Sequence, residues 1–226
     1  MLKHVLDYWL PSRCALCGLS GGELCVECSA ELSLNHSCCP LCALPLPAPL
    51  HGHACGACVK RPPPFSSAFA PFVYDFPIDG LIRRFKFSRE LHIGRLLAEG
   101  MAAALAQQDF ARPDLLIPLP LGADRFRERG FNQACEIARV LGPRLGLKVL
   151  HDRLRRTRAT QPQAKLSRAE RRRNVRGAFA WYGQPPPKRV ALIDDVMTTG
   201  ETLKAATRAL HEAGAHDVAV WVLARA

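Results

Sequence analysis

The chain has 226 residues, 48% of them hydrophobic and 23% charged, and its 31 Lys and Arg outnumber 20 Asp and Glu to give a net charge of +11. That length holds one full α/β domain and a small appendage, and no apolar run approaches the roughly 18 residues that a membrane-spanning helix needs. The charge favours acidic ligands or nucleic acid. The N-terminus carries Lys3, His4, Asp7 and Trp9 in place of a signal-peptide core, so a cytoplasmic protein with reduced or metal-bound cysteines is expected.

In chain order, residues 2–10 fit a short helix with Leu2, Val5, Leu6 and Trp9 on one face, ended by Pro11. Nine of the ten cysteines then follow within 45 residues, as Cys14-x-x-Cys17, Cys25-x-x-Cys28, Cys39-x-x-Cys42 and Cys55-x-x-Cys58, with Cys38 beside the third pair. Each C-x-x-C supplies two thiolates from one tight turn, so four pairs suffice for two Cys₄ zinc sites. Spacing leaves the pairing open: adjacent pairs make two successive ribbons, alternating pairs a cross-braced unit. Cys38 could replace Cys39, and His51 or His53 could replace a thiolate, although exposed loop positions are expected for both histidines. Closed sites of this kind are structural, standing in for the core that a small unit cannot build alone.

Proline-rich breaks at 44–49 and 60–64 put a boundary near residue 62, dividing a double zinc-ribbon-like unit (1–62) from a second domain (63–226). In that domain, residues 67–74 read as a strand, 78–86 as a basic amphipathic helix and 91–106 as a longer helix. Residues 114–121 read as a buried strand ending in prolines. A turn with Arg125, Arg127, Arg129 and Gly130 follows and leads into a helix over 131–145; its arginines suit a polyanion such as pyrophosphate. Cys135 in that helix reads as a buried apolar residue.

Residues 153–176 hold ten basic side chains and one acid, Glu170. The first part, with Arg156 and Arg158, reads as a loop, and Ser167-Arg-Ala-Glu170 is a capping box that starts a helix. The segment suits a lid over pyrophosphate, a surface for nucleic-acid phosphates, or a solvated basic face. A strand over 177–181 and the prolines at 185–187 lead to the most informative stretch. There Val190-Ala-Leu-Ile193 has the continuous apolar character of a strand covered on both faces. Two acids, Asp194 and Asp195, follow, then Val196, Met197, Thr198, Thr199, Gly200, Glu201 and Thr202, with a helix over 201–211. A helix start with free N–H groups and three threonine hydroxyls is a phosphate cradle. Acids beside it suit a ligand that carries hydroxyls as well, such as a ribose 5-phosphate, or a bound Mg²⁺. Gly214 caps the helix, and 217–224 is a last buried strand. Strands alternating with helices imply a doubly wound parallel sheet.

Residues 190–202 resemble the phosphoribosyl-diphosphate (PRPP) motif of type I phosphoribosyltransferases. Together with the cysteine knuckles, Pro118-Leu-Pro-Leu121, Arg129-Gly-Phe-Asn-Gln133 and Gln163-Ala-x-Leu-Ser167-x-x-Glu170-Arg171-Arg172-x-Asn174, they make nearly the whole chain similar to the ComF family of competence proteins (ComFC- and GntX-like). That resemblance implies a double zinc ribbon before a type I phosphoribosyltransferase-like α/β domain, and a part in natural transformation, with single-stranded DNA and other DNA-uptake proteins as partners. It implies that Asp194 and Asp195 hold the ribose, that residues 198–202 with Met197 hold the 5-phosphate end, and that Mg²⁺ accompanies PRPP. Arg125, Arg129, Arg156 and Arg158 would stabilise the departing pyrophosphate. Gly122 departs from a larger polar residue of the family and is given no role. The acceptor-binding hood is expected from residues 65–110, which show no base-binding pattern. The reading is a PRPP-dependent phosphoribosyltransferase with structural Zn²⁺; its alternative is a non-catalytic PRPP-sensing or single-stranded-DNA-binding competence protein.

Overall fold

The computed structural model describes residues 13–20, 22–50, 52–157 and 177–226. The helix expected over 2–10, Arg158 and the helix expected from Ser167 lie outside the described residues. The cysteine-rich unit contains two short helices, α1 (Val26–Ala30) and α2 (Gly56–Lys60). The body that follows is built from β1 (Ser67–Phe69), β2 (Phe72–Val73), α3 (Ile78–Phe87), α4 (Leu91–Ala106), β3 (Leu115–Pro118), α5 (Ala123–Arg129), α6 (Gln133–Leu145) and β4 (Lys148–Val149). It continues with β5 (Leu154–Arg156), β6 (Phe179–Trp181), β7 (Arg189–Met197), α7 (Glu201–Glu212) and β8 (Asp217–Arg225).

The main sheet is parallel throughout, in the order β1-β8-β7-β3-β4, with β2 pairing β8 beyond β1. The expected single strand over 67–74 is two, because Pro71 between them has no N–H to give to a ladder. β5 and β6 form a separate antiparallel pair.

Alternation along each central strand sends side chains to two cores. Val190 and Leu192 of β7, Leu115 and Ile117 of β3, and Val218, Val220 and Val222 of β8 meet α7 on one face. Ala191, Ile193, Leu116, Trp221 and Leu223 meet α3, α4 and α6 on the other. Both faces of the sheet are therefore covered, which is what its uninterrupted apolar strands require. α3 and α4 are clamped where Gly94 lies against the Phe85 ring, at a place where an added Cβ would come within 2.3 Å. α6 starts on Asn132, whose side chain accepts from the Ala134 N–H at 3.0 Å, and ends on left-handed Gly146.

From β3 the chain moves outward to β4, and from β7 it moves outward the other way to β8. The switch point of the sheet therefore falls between β3 and β7, at their carboxyl ends, where ligands bind in open α/β sheets. The cysteine-rich unit is stitched to this body. Asn35 donates from its main chain to Pro71 O at 2.8 Å and from its side chain to Ala43 O at 2.9 Å and Ala70 O at 3.2 Å. Ala43 is fully buried in the core beneath β7 and β8.

Candidate functional site

At the switch point β7 delivers Asp194 and Asp195 beside the end of β3, where Pro118 is paired with Ile193. The chain then turns through Thr198 and Thr199 to Gly200, whose φ of 70° is the left-handed conformation that glycine adopts without strain. A Cβ there would lie 3.2 Å from Met197 Sδ. α7 begins at the next residue, so the N–H groups of its first turn and its positive dipole end face the phosphate loop.

A pocket of about 240 Å³ opens at this point. Its walls bring together Asp194, Asp195, Met197, Thr198, Thr199, Gly200, Glu201 and Thr202 with Arg125, Arg129 and Arg156. Every site residue expected in this domain therefore lines one cavity, except Arg158, which lies outside the described residues. One correction accompanies this. The arginines at 125–129 sit on a helix of their own, α5, closed by left-handed Gly130, and not on a bare turn. Residues 65–110 supply the helical layer and edge strands of the core, their apolar face demanding burial, and only Tyr74 and Lys86 of that stretch reach the pocket.

The electrostatics divide the pocket in two. On the acid side, Lys86 Nζ lies 3.0 Å from Asp195 Oδ1, with side chains 15% and 10% exposed, so this is an interior ion pair and not a screened surface one. Burial, and then the Asp195 carboxylate, push the Asp194 carboxyl up to about 7, while the Asp195 N–H donated to Asp194 Oδ1 at 2.9 Å, Lys86 and Arg125 act in the opposite direction. Glu201 is buried and accepts from Lys204 Nζ at 2.9 Å.

On the basic side, Arg129 lies over the Phe87 ring at 5.2 Å and donates to Gln133 Oε1 at 3.0 Å. Arg129 Nε and Gln133 Nε2 are buried donors with no acceptor among the described residues, and Gln133 is only 2% exposed. Buried donors of this kind call for a further acceptor, which a bound anion would supply. Arg156 lies over the Phe179 ring at 5.6 Å, and burial lowers its pKa, with Arg125 adding to the effect. A Cβ at Gly122 would stand 3.4 Å from Arg156 Nη1, in ordinary contact with this guanidinium.

Lys86, Tyr74 and Gln133 are pocket residues that sequence reasoning did not assign. For Lys86 a signal exists: Ile78, Leu81, Ile82 and Phe85 are the buried stripe of α3, and Lys86 is four residues on from Ile82, at the edge of that stripe.

The cysteines resolve the pairing left open by spacing. Cys14, Cys17, Cys25 and Cys28 form one cluster and Cys39, Cys42, Cys55 and Cys58 another, the four sulfurs of each lying within 4.8 Å of one another. Adjacent knuckles therefore pair. Cys38 belongs to neither cluster, and His53 is exposed. A tetrahedral thiolate site requires four sulfurs at about this mutual distance, so both clusters fit zinc. The first knuckle of each is held in a minimal hairpin, by the Arg13–Ser20 and Cys38–Pro45 bridges. The Cys55 N–H points at Cys39 Sγ at 3.3 Å, a contact suited to a metal-bound thiolate.

A double zinc ribbon joined to a phosphoribosyltransferase-type α/β domain is the class these features define. The double zinc ribbon domain family matches residues 5–59 and the phosphoribosyl transferase domain family matches residues 97–226, so the chain belongs to the phosphoribosyl transferase domain family. It is 34% identical to the DNA utilization protein YhgH of Escherichia coli O157:H7, over 96% of this chain and 98% of that protein. It is 33% identical to Competence protein F of Haemophilus influenzae, over 89% and 96% respectively, and 30% identical to Competence protein ComFC of Streptococcus pneumoniae, over 69% and 67%.

Proposed function

We propose that the pocket at the switch point binds PRPP with Mg²⁺, and that the protein transfers the phosphoribosyl group to an acceptor in the service of DNA uptake. The observation that carries this reading is the division of one cavity into a hydroxyl-binding wall, Asp194 and Asp195, a phosphate cradle at the start of α7, and a basic wall with two orphaned buried donors. A ligand with a phosphate at one end, a diol in the middle and a pyrophosphate at the other matches all three.

In this reading the N–H groups and hydroxyls of residues 198–202 hold the 5-phosphate, and the two aspartates accept from the ribose hydroxyls. The bond from the anomeric carbon to pyrophosphate breaks with its electron pair leaving on the pyrophosphate oxygen, and the acceptor's lone pair forms the new bond. Arg125, Arg129 and Arg156 hold the charge that grows on the leaving group. Mg²⁺, a hard cation that carboxylate oxygens suit, would neutralise pyrophosphate further. Arg158, which lies outside the described residues, is assigned to the same end of the ligand by its charge.

The role in DNA uptake rests on the names of the relatives, a DNA utilization protein and two competence proteins. The basic segment 153–176 is the surface we assign to single-stranded DNA. No described helix is long and apolar enough to cross a membrane. Two thiol-rich zinc sites suit a reducing compartment, and a cytoplasmic location is part of this reading. The test is the double variant Asp194→Asn, Asp195→Asn. It should lose PRPP binding and keep two zinc ions per chain; undiminished PRPP affinity would remove the site assignment.

A further inference from the structure

The cysteine-rich unit and the phosphate loop are joined by one buried side chain. Arg225, at the end of β8, is 8% exposed and sits opposite Met197 in the β7–β8 register. Its Nε donates to Cys42 O at 3.0 Å, and its Nη1 donates to Met197 O at 3.0 Å and also to Ala226 O. Cys42 is a member of the second cysteine cluster, and Met197 opens the phosphate loop. A cavity of about 350 Å³ lies between the two, lined by Cys42, Cys55 and Cys58 on one side and by Thr199, Gly200 and Lys204 on the other.

Burying a guanidinium costs far more than burying a methionine of similar reach, so filling space does not account for an arginine here. Its fork does what an apolar residue cannot: it fixes main-chain oxygens of two units at once. The consequence reaches the pocket through the peptide plane. In a trans peptide the C=O and N–H point in opposite directions. Holding Met197 O from behind therefore turns the Thr198 N–H to the other side of the loop. Lys204 Nζ, 3.4 Å from Thr199 O, acts in the same sense on the Gly200 N–H.

We propose that Arg225 is a positioning residue that couples zinc occupancy of the Cys39–Cys42–Cys55–Cys58 site to the affinity of the phosphate loop for PRPP. Zinc fixes the knuckle and hence the Cys42 carbonyl; Arg225 transmits that position to Met197 O. The first cysteine cluster is held elsewhere, its Ala15 carbonyl accepting from Arg84 of α3. This proposal rests on the PRPP reading above, and it requires reciprocity: whatever factor zinc adds to PRPP affinity, PRPP adds to zinc affinity.

The experiment uses the full-length, zinc-loaded protein, with PRPP binding measured by calorimetry and zinc affinity by competition with a chromogenic chelator. Saturating PRPP should raise the affinity for one of the two zinc ions by about tenfold, within the usual range of coupling between sites. Cys28→Ser, which leaves only the second site intact, should retain that gain. Arg225→Met should bind PRPP about tenfold more weakly and, once saturated, show no zinc gain. Arg225→Lys, which keeps the charge but reaches one carbonyl, serves if the methionine variant does not fold. An equal zinc gain in the arginine variants, a gain confined to the first site, or no gain in a wild type that binds PRPP would overturn the coupling. A wild type that binds no PRPP in the calorimeter would remove the underlying reading instead, and the coupling with it.

Discussion

Replacing Asp194 by asparagine should make the ligand-free protein more stable at alkaline pH while removing a ribose contact. The carboxyl is pushed from 3.8 to about 7, first by burial and then by Asp195. A group whose folded pKa is raised confers stability that is fully present below its unfolded pKa and is lost as pH rises through the folded value. The window here runs from about pH 4 to about pH 7. Each unit is worth about 1.4 kcal/mol, so the full shift sets a ceiling of roughly 4 kcal/mol. Water entry and relaxation around a half-buried group bring the expected loss to about 2 kcal/mol. Asparagine keeps an oxygen to accept the Asp195 N–H, now at 2.9 Å, and carries no charge. Urea unfolding in zinc-replete buffer at about pH 5.5, 7 and 8.5 checks this, with the variant's advantage growing by about 1 kcal/mol across the series, since about half of the window lies below pH 5.5. An advantage that stays constant or shrinks as pH rises would show that Asp194 ionises at no cost and refute the reasoning. Because PRPP with Mg²⁺ would require the ionised form, affinity in the wild type should also fall as pH drops below about 7.

Lys86→Met removes the partner of a nearly buried Asp195. It should destabilise the protein by about 3 kcal/mol and shift the pH dependence of PRPP binding upward, since Lys86 also helps keep Asp194 ionised; an unchanged urea midpoint and pH profile would contradict the ion pair. Cys39→Ser should drop the bound metal from two zinc ions to one, whereas Cys38→Ser should leave it at two, read by elemental analysis of dialysed protein. Gly94→Ala drives a methyl into the Phe85 ring and should cost about 1–3 kcal/mol in the same unfolding assay, with no effect on zinc content.

Much of the fold was legible because its signals are local. The four-residue apolar run before Asp194, short and bounded by turn residues, has the character of a strand covered on both faces, and the Thr-Thr-Gly turn after it marks the start of α7. The four C-x-x-C knuckles announced two metal sites but not their pairing, because pairing depends on which turns fold back on each other in space, and spacing along the chain does not carry that. The break at Pro71 was visible in principle, as a residue that cannot donate within a ladder. Lys86 and Arg225 were passed over for a different reason. Each acts through a partner more than a hundred residues away, Asp195 for the first and Cys42 for the second, and no window of sequence brings such pairs together. From 65–110, Tyr74 and Lys86 reach the pocket, while the apolar faces of α3 and α4 belong to the main core.

The measurement that tests the central claim most directly is calorimetric titration of the zinc-loaded wild type with PRPP and Mg²⁺, with pyrophosphate release followed in the same samples. The account predicts saturable binding, and pyrophosphate release that quickens when a cell extract supplies the acceptor. Binding without release under any condition would leave a PRPP sensor in place of a transferase, and no binding at all would contradict the reading of the pocket from Asp194 onward.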